Sequence, residues 1–235
     1  MRIASWNILS DRDVPKHDTQ KDRLDKIAAT IRKSRQGSGG YIIYLCEFAT
    51  TTNAQYVAEE SGLVTIGEPI EYNDEGEFGV FLADQETAKQ ATPSELIVDD
   101  LHGMNMLKVD DLKIIGCHMP WHFINKRSQR RLHTDKIIEA KPDILLGDLN
   151  SPSFFKMRKR LEASGLTEAH LHVLRVFPHP KYRGVNVAWW WRNMNIDVIY
   201  YGAGVSVESA GHSLGRKEAS DHPILWVDIE HSPTC

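Results

Sequence analysis

Cysteine is scarce in this 235-residue chain, which has only Cys46, Cys117 and Cys235. An odd number of thiols cannot pair completely, and a chain of this length buries enough apolar surface to fold without disulfides. Cys46 and Cys117 lie inside apolar stretches, so the sequence predicts reduced, buried thiols and a cytoplasmic protein. Long hydrophobic runs are also lacking. None approaches the roughly 20 residues that span a bilayer, so no membrane segment is expected. The opening MRIASWNIL reads as a strand, without the apolar h-region of a leader. There is no repeat, no low-complexity segment and no interdomain linker, so residues 1–235 are expected to form a single domain. The glycine-rich GSGG at 37–40 lacks the Gly-Lys-Ser/Thr ending of a nucleotide-binding loop.

Excess charge of one sign is missing too. The formal net charge is −4, which argues against indiscriminate polyanion binding. The distribution is uneven, however: residues 1–112 are strongly acidic in balance and residues 113–235 basic. Basic residues cluster in NKRSQRR at 125–131 and KMRKR at 156–160. A basic helical face is ordinarily only solvated; beside a phosphate site it gains a role.

What the chain does have is many short apolar stretches. Strands are expected at 2–9, 41–47, 64–68, 78–83, 96–99, 105–109, 112–118, 144–147, 196–201, 205–209 and 223–229, with Asp110-Asp111 as a tight hairpin turn. Helical patterns are fewer, at 21–33, 53–61, 126–140 and 154–163. This mixture predicts an α/β (α+β) fold with largely antiparallel sheets.

Within DILLGDLNSPS at 143–153, the run Ile144 to Leu146 reads as a buried strand, and Ser151-Pro152 as a helix start. Asp148 and Asn150 follow the strand at once. Asp and Asn suit a turn on their own account. Yet other strands also end in polar residues: Asn7 in ASWNIL, Glu47 in IIYLCEF, His118 in IIGCHMP, Asp197 in MNIDVIY, and Ser220, Asp221 and His222 in ASDHPILWV. Chemistry is commonly assembled at strand and loop ends on a rigid scaffold. Such repeated placement points to one shared site.

The ordered set WN, E, H, GDLN, ID and SDH resembles the endonuclease/exonuclease/phosphatase superfamily, over residues 6 to 222. GDLN and SDHPIL carry most of the resemblance. It implies a four-layered sandwich, two mainly antiparallel β-sheets flanked by helices, and metal-dependent phosphoester hydrolysis. It also implies roles. Glu47 would be the principal ligand of magnesium or manganese, with Asn7 and Asp221 nearby. His222 would contact the phosphate while Asp197 orients its other ring nitrogen. Asp148 would position or deprotonate the attacking water, Asn150 would donate to a phosphate oxygen, and His118 would hold another oxygen or assist the leaving group. Cys46 stands before Glu47 where many members have Gln, His118 stands where the abasic-site nucleases have Tyr, and Leu9 replaces an acidic residue of that branch. Histidine at 118 is similar to the deoxyribonuclease and lipid-phosphodiesterase branches.

Other chemistries fit less well. Consecutive strand residues point to opposite faces, so Ser220, Asp221 and His222 cannot form a relay. The pairs His118/His122 and His170/His172 suggest zinc, but Pro120 interrupts the first and no third ligand accompanies the second. An inactive binding module of the same fold is the different-class reading. For substrate, nucleic acid is expected over inositol phosphates or lipid head groups. Arg127, Arg130 and Arg131 would meet phosphates, and Trp189, Trp190 and Trp191 would stack on bases. The acidic EYNDEGE at 71–77 opposes a long polyanion.

Overall fold

The computed structural model describes residues 1–8, 19–71, 77–98, 103–119, 127–151, 156–170, 196–213, 219–220 and 222–230. Its first sheet contains β1 (Arg2–Asn7), β2 (Tyr41–Phe48), β3 (Val64–Glu71), β4 (Phe78–Ala83), β11 (Ser206–Ser213) and β12 (Ile224–Glu230), in the order β11-β12-β1-β2-β4-β3. The second contains β5 (Ala91–Ile97), β6 (Gly103–Val109), β7 (Leu112–His118), β8 (Ile144–Asp148), β9 (Thr167–Glu168) and β10 (Asp197–Tyr201), in the order β5-β6-β7-β8-β10-β9. Each sheet holds one parallel pair, β1 with β2 and β7 with β8; the other pairings are antiparallel. A parallel pair needs a crossover. Helices α1 (Gln20–Ser34) and α4 (Arg127–Ala140) supply the two crossovers.

Alternation along the strands sorts side chains into layers. Ile3 and Ile42 face a core shared with Ile114, Ile144, Leu146 and Ile199 of the other sheet. Ala4, Trp6, Ile43 and Leu45 face the opposite way, onto Leu24 and Ile27 of α1 and Ala54 and Val57 of α2 (Thr51–Ser61). On the far side, Ile115, Leu145 and Val198 pack against Ile137 of α4 and Leu161 of α5 (Lys156–Ala163). The result is the expected four layers, helices outside two sheets.

Local chemistry accounts for the element ends. Thr19 and Asp22 form a reciprocal capping box on α1, and α2 runs from the Thr50 cap to left-handed Gly62. The Asp110-Asp111 turn is present, with Val109 paired to Leu112. Tyr44 lies between the sheets, and its ring fills the space that a Cβ at Gly116 would occupy. Among the described residues, the thiols of Cys46 and Cys117 are free and buried, and burial pushes both above the ordinary thiol range.

Differences from the sequence reading fall at edges. The strand expected at 96–99 is β5, which starts at Ala91, and β11 runs on to Ser213. Both are sheet-edge strands. β5 is mostly exposed, so it lacks the apolar alternation that reveals a half-buried strand. The one-turn helix α3 (Gln85–Lys89) and two-residue β9 are too short to show a period. Among the described residues, no helix is long and apolar enough to cross a membrane.

Candidate active site

Strand direction brings the polar residues together. Asn7 ends β1 and Glu47 lies near the end of β2, while His118 and Asp148 end β7 and β8. These are the carboxyl ends of both parallel pairs, where open α/β sheets place their ligands. Asp197 begins β10 directly opposite Asp148, because those strands are antiparallel. His222 just precedes β12, the antiparallel neighbour of β1. All lie at one rim of the sandwich.

Glu47 reaches this rim by breaking alternation. Odd positions Ile43 and Leu45 face the helices, so an undisturbed strand would send Glu47 the same way. Instead the register shifts between Leu45 and Phe48, and Glu47 takes φ 70°. An extra residue in one strand re-aims a side chain in this manner. A left-handed glutamate costs about 1–2 kcal/mol, strain of the kind that collects at functional sites. Phe48 then returns to the helix side.

One amide gathers two carboxylates. The Asn7 amide donates to Glu47 Oε1 at 2.7 Å and to Asp148 Oδ2 at 3.0 Å. His118 Nε2 lies 3.2 Å from Glu47 Oε1 and 3.9 Å from Asp148 Oδ2. The same nitrogen is 3.1 Å from the Asn150 amide nitrogen. It accepts from Asn150 when unprotonated and donates to Glu47 when protonated; it cannot do both at once. Burial opposes charge on Glu47, but hydrogen bonds from His118 and Asn7 outweigh it and hold the pKa down at about 2. Burial alone would lower the His118 pKa; the Glu47 bond and the charges of Asp148 and Glu77 raise it instead.

A second cluster adjoins the first. His222 Nδ1 is 2.7 Å from Asp197 Oδ2 and 4.0 Å from Asp148 Oδ2. Burial pushes the Asp197 carboxyl above the usual carboxylate range, with His222 pulling it down and Asp148 adding to the rise. Ser220 Oγ donates to the Asn7 carbonyl at 2.7 Å and accepts from the His222 N–H at 3.0 Å. Trp6 Nε1 donates to the His222 carbonyl at 3.0 Å. The WN and SDH motifs are thus strapped to each other across the sheet.

The GDLN turn is similarly constrained. Gly147 has φ 135°, and a Cβ there would lie 1.8 Å from the Cys117 carbonyl oxygen. Asn150 takes φ 46°, its N–H donates to Asp148 Oδ1 at 2.6 Å, and its side-chain amide donates to the Met119 carbonyl at 2.8 Å.

The donor set suits a hard divalent cation. Glu47, His118 and Asp148 each offer one donor atom, all within 4.8 Å of one another, and so do Asp148, Asp197 and His222. Each group pairs two carboxylates with one imidazole, so hard oxygen donors outnumber nitrogen. His170 joins neither group; its Nε2 meets the Gly211 carbonyl at 2.9 Å. His122 and His172 lie outside the described residues.

The remaining expectations divide. Asp221, Trp189, Trp190 and Trp191, and the side chain of Arg127, lie outside the described residues. Arg131 is solvent-exposed, 3.7 Å from Asp135. Arg130, expected to meet substrate phosphates, is turned inward. Its guanidinium donates to the carbonyls of Leu149 at 3.0 Å and Asn150 at 3.1 Å, because helical spacing puts it on the face of α4 against the sheet. Arg158, in the other basic run, is fully buried against Glu168. Glu77 escaped the sequence reading, and Ser220 was read only as one more polar residue before a strand, with no role of its own. Glu77 is buried and its charge acts on His118, yet it read only as the end of an acidic loop. Ser220 anchors His222 through a backbone bond that no spacing reveals.

No protein-family model matches the chain, and a search of curated proteins finds no significant match. Solved structures do match. An endonuclease/exonuclease/phosphatase family protein from Leptotrichia buccalis superposes with TM-score 0.71 at 14% identity, over 98% of this chain and all of that one. The human Nocturnin catalytic domain, which holds a sulfate anion, gives 0.69 at 17% identity over 98% and 94% of the two chains. A mannosyl-6-phosphatase from Bacteroides thetaiotaomicron gives 0.66 at 14% identity over 98% and 100%. With two six-stranded sheets between helices and the polar rim where their parallel strands end, this chain has the fold of the endonuclease/exonuclease/phosphatase superfamily.

Proposed function

We propose that the protein is a metal-dependent phosphoester hydrolase, and that its substrate is a nucleic-acid phosphodiester. The observation that carries the reading is the Asn7 amide bound to both Glu47 and Asp148, which concentrates negative charge in a buried rim beside two histidines. Glu47 would be the main ligand of magnesium or manganese, with Asn7 and Asp221 beside it. A bound ion would neutralise developing charge on the phosphate oxygens and the departing oxygen.

The chain's own groups supply the rest. Asp148, its Oδ1 held by the Asn150 N–H, orients the attacking water or accepts its proton. Asn150 and His118 donate to non-bridging oxygens. Asp197 binds His222 at Nδ1, which leaves Nε2 to face the phosphate. Such hydrolysis depends on positioning and charge stabilisation more than on covalent chemistry. The structural neighbours support the reaction class, since one is a mannosyl-6-phosphatase and another binds sulfate.

Nucleic acid is favoured by the outer face of α4 and α5, where Arg131, Lys136, Lys156, Lys159 and Arg160 outnumber Asp135, Glu139 and Glu162. Arg130, on the inward face of the same α4, holds the Asn150 loop, so the helix itself adjoins the site. A second reading, a phosphatase for small phosphorylated molecules, draws on Glu77. Its buried carboxylate near His118 disfavours a neighbouring backbone phosphate. Turnover of single- and double-stranded DNA, RNA, abasic DNA, sphingomyelin, inositol phosphates and sugar phosphates, with magnesium and then manganese, separates them. Hydrolysis of the small esters alone would refute the nuclease reading.

A further inference from the structure

Arg130 and Arg158 approach the same short loop from two helices. The Arg130 guanidinium donates to the carbonyls of Leu149 and Asn150, and Arg158 Nη1 donates to the carbonyl of Ser151 at 3.1 Å. Three consecutive carbonyls behind Asp148 are therefore drawn to one side by two buried guanidiniums. We propose that Arg130 and Arg158 are positioning residues that set the catalytic geometry of Asp148 and Asn150 through this loop backbone. The inference rests on the phosphoester reading of the site.

A trans peptide points its N–H opposite its carbonyl. With the Leu149 carbonyl held by Arg130, the Asn150 N–H must face away from that helix, and there it meets Asp148 Oδ1. The brace thus selects the orientation of the Asp148 carboxylate without touching it. It also holds Asn150 in its left-handed conformation, φ 46°, from which the side-chain amide reaches both Met119 and His118. A strained conformation persists only where surroundings over-determine it.

The arginines are built for the task. Arg130 stays charged although burial lowers its pKa to about 10, and its Nη2 also meets Met157 of α5. Arg158 is locked by Glu168 and by the Tyr200 hydroxyl at 3.0 Å. A planar guanidinium spans two carbonyls, whereas a lysine ammonium on a flexible stem does not hold that geometry.

The test uses Arg130→Lys, with Arg158→Lys as the second variant should the first fail to fold. Turnover of bis(p-nitrophenyl) phosphate with manganese is compared with deuterium exchange across 149–151. Expected are faster exchange in that segment, KM within about threefold, and kcat lower by about 10–100-fold, the scale of a misplacement near 1 Å. Because part of the brace acts through the Asn150 side chain, the losses of Arg130→Lys and Asn150→Ala should fall short of multiplying, the remainder being the Asp148 orientation that the residue-150 N–H still carries. Unchanged exchange, unchanged kcat, or losses that multiply would each overturn the brace. Absence of turnover by the wild type against every phosphoester would instead sink the phosphoester reading, and exchange at 149–151 would still decide whether the arginines hold the loop.

Discussion

Replacing Glu47 by Gln keeps the shape of the side chain and removes its charge, so its effect on stability follows from the carboxylate's environment. The pKa falls from 4.5 to about 2 in the folded protein. At 1.36 kcal/mol for each tenfold change in proton affinity, the ionised carboxylate contributes about 3 kcal/mol to apo-protein stability. A depressed folded pKa means that this stability is present above the unfolded value and lost as pH falls toward 2. By pH 3 about 2 kcal/mol of it should be gone. Urea unfolding in chelator at pH 7, 5, 4 and 3 measures the difference between wild type and Glu47→Gln. That difference should shrink by about 2 kcal/mol over the series; parallel profiles would refute the claim that His118 and Asn7 hold this carboxylate in its charged form. Adding metal at about 100 times its Kd should then stabilise the wild type by about 2.7 kcal/mol and the variant far less. Turnover should drop at least about a hundredfold in the variant and vanish in chelator. Full activity in excess chelator would end the metal reading.

His222→Ala and Asp148→Asn should each lower turnover by several orders of magnitude with stability changed by roughly 1–2 kcal/mol, and the double variant should fall well short of the product of the single losses. Multiplicative kinetics would mean that His222 and Asp148 work separately. Gly147→Ala drives a methyl group to 1.8 Å from a backbone oxygen; it should cost more than about 4 kcal/mol or prevent folding, and a near-wild-type melting temperature would contradict the packing described. Reversing the exposed Arg131 and Arg160 to Glu should weaken nucleic-acid binding and flatten its salt dependence. Cleavage of a small phosphodiester should hardly change, and an unaltered salt slope would remove α4 and α5 from the substrate path.

The chain's order of apolar runs and turn residues was enough to indicate largely antiparallel sheets, four helices and polar residues at the ends of several strands; two such sheets between helices was what the resemblance of its motifs implied. Local chemistry is what makes those elements: the Asp110-Asp111 turn, the threonine caps, the alternation of Ile3, Ser5 and Asn7. Site residue types were legible for the same reason, since Asp148 and Asn150 stand right at the end of a run too apolar to be anything but core. What no local pattern carries is side-chain direction once alternation is broken. Glu47 faces its partners only because the strand bulges at φ 70° against Phe78, a pairing made with another strand. Charge in a run is equally blind to burial. Arg130 read as a phosphate contact and Arg158 as part of a basic run, yet packing of α4 and α5 on the second sheet turns them inward, where backbone carbonyls and Glu168 make burial tolerable. Glu77 joined the candidate site through its charge acting on His118 of the other sheet, and Ser220 through its bond to the Asn7 carbonyl at the end of the neighbouring strand. Sequence determined which chemistry was available; tertiary packing decided which charges face the polar rim and which are buried behind it.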